Sequence, residues 1–189
     1  GSGIVTIEGA HALGLYRCDY SHPDHDSLQS RPANIEGQGE ITLADLTKMA
    51  LRMDPDRVIV GEVRGAEAFP MLMAMSQGNN GSMCTLHADS TRSVFPKLAA
   101  YMSMSSTSLP IETTNLLIAS SVHFVVHIEV VRGQRRVSSI REVVDSDGST
   151  IMSNEVVRNV NGNVGFGYPL REETRELFEE NGFREEMLR

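Results

Sequence analysis

Apolar positions recur along this chain in two rhythms. Short runs of consecutive, largely β-branched residues mark strands buried on both faces of a parallel sheet. Ile4-Val5-Thr6-Ile7 closes on Glu8, Val58-Ile59-Val60 passes through Gly61 onto Glu62, and Gly81-Ser82-Met83-Cys84-Thr85-Leu86 closes on His87. Between and after these runs the spacing turns helical. Leu43, Leu46, Ala50 and Met53 share one face of a helix from Thr42 to Met53, and Thr42 with Asp45 can cap its start. A second helix runs from Ala66 to Gln77, with Pro70 in its first turn and Gly78 as its stop. Two more are expected, one capped by Ser90 and reaching about Met102, the other from Glu112 to Ser121.

The remainder reads as antiparallel strands. Val122 to Val131 and Arg136 to Val144 form a hairpin about Gly133-Gln134, and Asp147-Gly148 and Asn161-Gly162 place turns on either side of Ile151 to Val157. Arg171 to Arg189 is a charged helix with Leu177 and Phe178 for docking. The expected organisation is an α/β domain over residues 1–144 and a small appendage over 145–189. Ligands of open α/β sheets sit outside the carboxyl ends of the strands. Glu8, Glu62 and His87 would therefore meet at one edge, the candidate site. Taken singly, each is an ordinary strand-end acid or histidine; their order and spacing favour the shared site.

The polar stretch from Tyr16 to Pro32 contains His22-Pro23-Asp24-His25-Asp26. Histidines beside carboxylates are metal-ligand types, but Pro23 separates them and no helix fixes their spacing, so a solvated loop is expected. Pro32 holds Arg31 in an extended conformation. Arg52 near a helix end suits the helix dipole, and Arg132, Arg135 and Arg136 gather at the hairpin tip, where solvation is the default.

Composition narrows the function classes. With 17 basic against 25 acidic residues the net charge is −8, which argues against a broad nucleic-acid face, since phosphate neutralisation needs clustered Lys and Arg. Cys18 and Cys84 lie far apart outside any metal-ligand spacing and read as reduced thiols of a cytosolic protein. No apolar run approaches membrane-spanning length. Met71, Met73 and Met75 read as core packing. Lys48 and Lys97 are the only lysines, and neither closes a G-x-x-x-x-G-K-[ST] phosphate loop.

The segment from Arg31 to Ser90, with the Thr6-Ile7-Glu8 strand before it, resembles the secretion ATPases of type II and type IV systems, closest to the tight-adherence pilus branch. In that family a strand ending in Gly-Glu, here Gly61-Glu62, is the Walker B element. A Thr-Ile-Glu strand opens the Asp box, and Gly-Thr-Leu-His, matched here by Thr85-Leu86-His87, is the His box. The resemblance implies an α/β, RecA-like P-loop NTPase core, incomplete here because the Walker A strand, loop and helix would precede Ile4, with the hairpin and helical appendage after it. The chain is then expected to be the C-terminal part of a longer ATPase and inactive alone.

The same resemblance implies ATP and Mg²⁺ as cofactors. Glu62 would hold magnesium through water, Glu8 would act as general base or position water, and His87 would sense the γ-phosphate. Arg31, Arg52 and Arg64 are candidates for stabilising charge. It further implies a homo-oligomeric, hexameric ring at the cytoplasmic side of the inner membrane, held there by a platform protein of a pilus or secretion machine. The family usually carries acids where this chain has Gly9 and Ala12. That departure keeps open a weakly catalytic, nucleotide-responsive module, and the hairpin arginines keep open a DNA-translocating motor of the same fold.

Overall fold

β1 (Ile4–Glu8) is buried along its whole length and forms the centre of the first sheet. It pairs in parallel with β2 (His25–Gln29) on one side and β3 (Arg57–Val60) on the other, with Glu8 opposite Gln29 and Ile7 opposite Val60. β4 (Met83–Cys84) extends the sheet beyond β3, giving the order β2-β1-β3-β4. The computed structural model describes residues 3–10, 13, 24–160 and 162–183. The expected solvated loop is overturned at its end. His25 lies in the edge strand β2 and bonds Thr6 Oγ1 through Nε2 at 3.0 Å, while His22, Pro23 and Cys18 lie outside the described residues. β2 is polar because only one of its sides packs, so it lacks the apolar run that marks its neighbours.

The crossovers are helical. α1 (Leu43–Ala50) starts at the expected capping box, the Thr42 hydroxyl accepting from Asp45 N–H and the Asp45 carboxylate accepting from Thr42 N–H. α2 (Ala68–Ser76) holds Pro70 in its first turn, where a missing N–H costs no helical bond. Gly78 follows at φ +93°, a conformation that excludes most other residues. α3 (Val94–Ser103) starts later than expected, because Ser90 and Ser93 bond each other's main-chain amides and form a separate turn first. α4 (Ile111–Ser121) packs against α2 and α3. Among the described residues no helix is long and apolar enough to cross a membrane.

The second sheet is antiparallel, in the order β5 (Phe124–Val131), β6 (Gln134–Ser146), β7 (Ile151–Val160), β8 (Asn163–Phe166). Its first turn is Arg132-Gly133, one residue earlier than expected, with φ of 52° and 78° as a two-residue hairpin turn requires. The boundary expected after Val144 falls inside β6, at the point where the pairing with β7 shifts register between Val143 and Asp145. α5 (Glu172–Glu180) closes the described chain. Phe178 stacks on Phe124 with ring centroids 5.8 Å apart, whereas Leu177 stays 56% exposed. Val5, Val60, Leu72, Leu98, Ile118, Val125 and Val143 belong to one apolar core, so α2, α3 and α4 join the two sheets.

Candidate functional site

The site grows from how the parallel strands end. Gly61 N–H donates to Ile7 O at 2.8 Å, carrying the β1–β3 pairing one residue past β3. A Cβ on Gly61 would stand 3.1 Å from Glu8 Cγ and 3.5 Å from Ile7 O. Glycine is therefore what lets the Glu8 side chain lie across the end of β3. The chain after β4 is tied to the same place: Val63 N–H donates to Thr85 O at 2.8 Å, and Thr85 Oγ1 donates to Gly61 O at 2.5 Å.

This stitching brings two of the expected residues into contact. His87 Nε2 lies 3.2 Å from Glu62 Oε1. The other carboxylate oxygen of Glu62 takes the Arg64 guanidinium. The Arg64 hydrogen bond holds the Glu62 carboxyl below its ordinary value of 4.5; slight burial opposes this, and the charges of Arg64 and His87 add to it. Glu62 in turn raises Arg64, again first through the hydrogen bond. His87 projects its ring into solvent at 90% exposure, and Arg64 is 74% exposed. The group is thus a carboxylate held between an arginine and a histidine whose side chains both face outward.

Glu8 reaches the same edge but is only 2% exposed, and Oε1 accepts from Leu13 N–H at 2.9 Å. Gly9 lies next to it, and Ala12 is outside the described residues. Arg31 follows β2 at this edge too, yet its Nε donates to Gly39 O at 2.9 Å and its guanidinium turns toward that loop. Arg52 stands apart. It leaves the carboxyl end of α1 in the turn that feeds the start of β3, at the sheet edge opposite Glu62. Within one chain, the topology does not bring Arg52 to Glu8, Glu62 and His87.

Sequence reasoning passed over three residues that shape the site. Buried Glu67 accepts from Arg64 N–H at 2.5 Å and Gly65 N–H at 3.0 Å, folding the loop after Glu62. Its signal was a carboxylate three places after Arg64, ahead of an apolar helix. His127 and Thr91 hold the far side of the His87 loop: His127 Nε2 donates to Ala88 O at 3.2 Å, and Arg141 Nε donates to Thr91 Oγ1 at 3.1 Å. Nothing local in the sequence announces that pairing. Among the described residues no group of three or more His, Cys, Asp or Glu could hold a metal ion.

Known proteins resemble this chain in sequence and fold. A family model described as type II/IV secretion system protein matches residues 24–166. A putative conjugal transfer protein of Mycobacterium tuberculosis is 36% identical over 146 residues, 77% of this chain and 40% of the relative. The type IV secretion system protein VirB11 of Brucella suis is 32% identical over 128 residues, 66% of this chain and 34% of the relative. The crystal structure of the Brucella suis VirB11 ATPase in complex with sulphate superposes with a TM-score of 0.62 at 29% identity, covering 74% of this chain and 39% of that one. The chain thus spans about two fifths of the length of the relatives it matches. Two sheets in the RecA-like manner, the acid-ended strand at Glu62 and a match over most of the residues place this chain in the type II/IV secretion system protein family.

Proposed function

We propose that the longer protein carrying this chain is an ATPase that drives secretion, conjugative transfer or pilus assembly, the tight-adherence pilus branch being the one its motifs most resemble. The observation that carries the reading is the 3.2 Å contact between His87 and Glu62 at the carboxyl edge of the parallel sheet. ATP hydrolysis needs charge absorbed as the γ-phosphoryl leaves and water placed for attack. Magnesium, when bound with ATP, neutralises phosphate charge and favours departure of the leaving group. Glu62 fits as its holder through water, because it is an ionised, partly exposed carboxylate with hard oxygen donors.

His87 supplies a donor at neutral pH and can exchange its Glu62 partner for an arriving phosphate oxygen. Arg64 can do the same, since an exposed ion pair is easily outcompeted. Glu8 orients water from beneath Gly61. Arg31 contributes charge from the β2 side. Arg52, placed at the opposite edge, acts only across a subunit boundary, in a ring of identical, hexameric copies. The ring works at the cytoplasmic side of the inner membrane against a platform protein.

The test is Glu62→Gln in the longer protein. Hydrolysis is expected to fall on the order of a hundredfold or more, and undiminished turnover would remove the role assigned to Glu62. The 2% exposure of Glu8 favours a second reading, a slow, nucleotide-responsive module lacking the acids at Gly9 and Ala12. Restoring acids at both positions raises the rate on that reading and leaves it unchanged on the first. Salt-dependent DNA binding is the mark of the translocase alternative, against which the net charge of −8 weighs.

A further inference from the structure

The second sheet packs its inner face on α4 and the rest of the core. Among the described residues, its outer face is covered only at one end. There Phe124 lies under Phe178, and fully buried Glu142, opposite Phe124, takes Arg171 and Thr174. Beyond that end the same face carries Val126, Ile128 and Val130 of β5, Val137 of β6, and Val164 and Phe166 of β8. They are 51, 58, 67, 40, 59 and 60% exposed respectively. The pairing register sets Val126 opposite Ile140, Ile140 opposite Val157, and Val157 opposite Phe166, so one apolar row crosses all four strands. Scattered exposed aliphatics are ordinary on a protein surface; a contiguous apolar sheet face marks a contact.

The charges at its two ends say what the contact is with. α5 holds five glutamates and one arginine across Glu172–Glu180 at the Phe124 end. Arg175 is engaged with Glu172 and Glu179, leaving Glu176 and Glu180 exposed outside those pairs. At the other end the hairpin tip presents Arg132 and Arg135, the latter opposite Val130 on this face. The surface is negative at one end, apolar in the middle and positive at the other. Such a surface is its own complement when a copy is turned through a half rotation.

We propose that this face docks a second copy of the chain about a two-fold axis, apolar rows against each other, with the arginine tip of each copy against α5 of its partner. A closed ring needs a head-to-tail contact between different surfaces, so this face joins copies in addition to any ring contact. An anionic membrane or a nucleic acid would meet the tip but be repelled by α5. The proposal does not rest on the ATPase reading.

The experiment is sedimentation velocity on this 189-residue chain over a concentration series. A monomer–dimer equilibrium is expected. Ile128→Lys, on an exposed side chain and checked for folding by circular dichroism, should weaken it about tenfold or more. Arg132→Glu with Arg135→Glu should weaken it, Glu176→Arg with Glu180→Arg should weaken it, and the four changes together should restore it. A monomer at every concentration overturns the proposal. A combined variant no tighter than either pair overturns it as well. So does a monomer that co-sediments with phosphatidylserine vesicles, which assigns the face to a membrane.

Discussion

His127 Nε2 lies 3.2 Å from the carbonyl oxygen of Ala88, the residue directly after His87, while its Nδ1 meets Ser138 Oγ at 2.7 Å. Because a carbonyl only accepts, the ring carries its proton on Nε2, and a neutral ring takes the Ser138 hydroxyl on Nδ1. The antiparallel sheet thus grips the loop that presents the candidate sensor. His127→Ala removes that grip. Faster amide exchange from Leu86 to Thr91 is expected, with about 1 kcal/mol of stability lost. Unaltered exchange there would show that the contact restrains nothing.

Gly61→Ala adds a Cβ 3.1 Å from Glu8 Cγ, beside main-chain Ile7 O. The Glu8 side chain must move, because the strand cannot. A loss of about 1–2 kcal/mol in denaturant unfolding is expected, together with lower hydrolysis in the longer protein. Full activity would mean that the position of Glu8 is unimportant.

Glu142 has no solvent exposure and is held by Arg171 N–H at 3.1 Å and Arg171 Nε at 3.2 Å, with Thr174 Oγ1 donating at 2.5 Å. Arg171→Ala leaves a buried charge without its cation and should cost about 3 kcal/mol. Replacing Glu142 and Arg171 together by apolar residues should recover much of that. A single variant as stable as the parent in urea unfolding would contradict the assignment.

The Glu62 carboxyl is depressed by Arg64. A depressed folded-state value means that the pairing contributes fully above the ordinary 4.5 and is lost as the pH falls through the lower, folded-state midpoint. With Arg64 74% exposed the effect on stability is small and screened by salt. Carboxyl NMR titration should place Glu62 below 4.5, and Arg64→Ala should move it up. An unmoved midpoint would break the link.

Burial among protein atoms pushes the Cys84 thiol up to about 12, although part of the residue's surface stays accessible. Native Cys84 should therefore resist alkylation at pH near neutrality and react once unfolded. Peptide mapping after iodoacetamide treatment distinguishes the outcomes.

Much of this was legible in advance, where a residue's local pattern dictates its place. Ile4-Val5-Thr6-Ile7 is buried on both faces and so shows as an unbroken run, and the Thr42–Asp45 box is a contact within one turn. Glu62 and His87 could be placed together because strand ends of a parallel sheet share an edge. What stayed hidden depends on partners distant in sequence. β2 takes its order from pairing with β1, not from its own polar residues. The burial of Glu8 depends on Leu13 and Gly61, and the hold on Ala88 on a histidine 39 positions away. Leu177 and Phe178 are neighbours with equal claim to docking, and only the helix's rotation over Phe124 selects Phe178.

The backbone on either side of His87 is fastened, through Thr85 to Gly61 and through Ala88 to His127, while its imidazole stands almost wholly in water. In the sensing role proposed for His87, an arriving anion would be registered by rotation about side-chain bonds alone. Such a signal leaves the Cα trace unmoved and is read in the ring resonances of that histidine, on the timescale of a rotamer flip rather than of a loop closing.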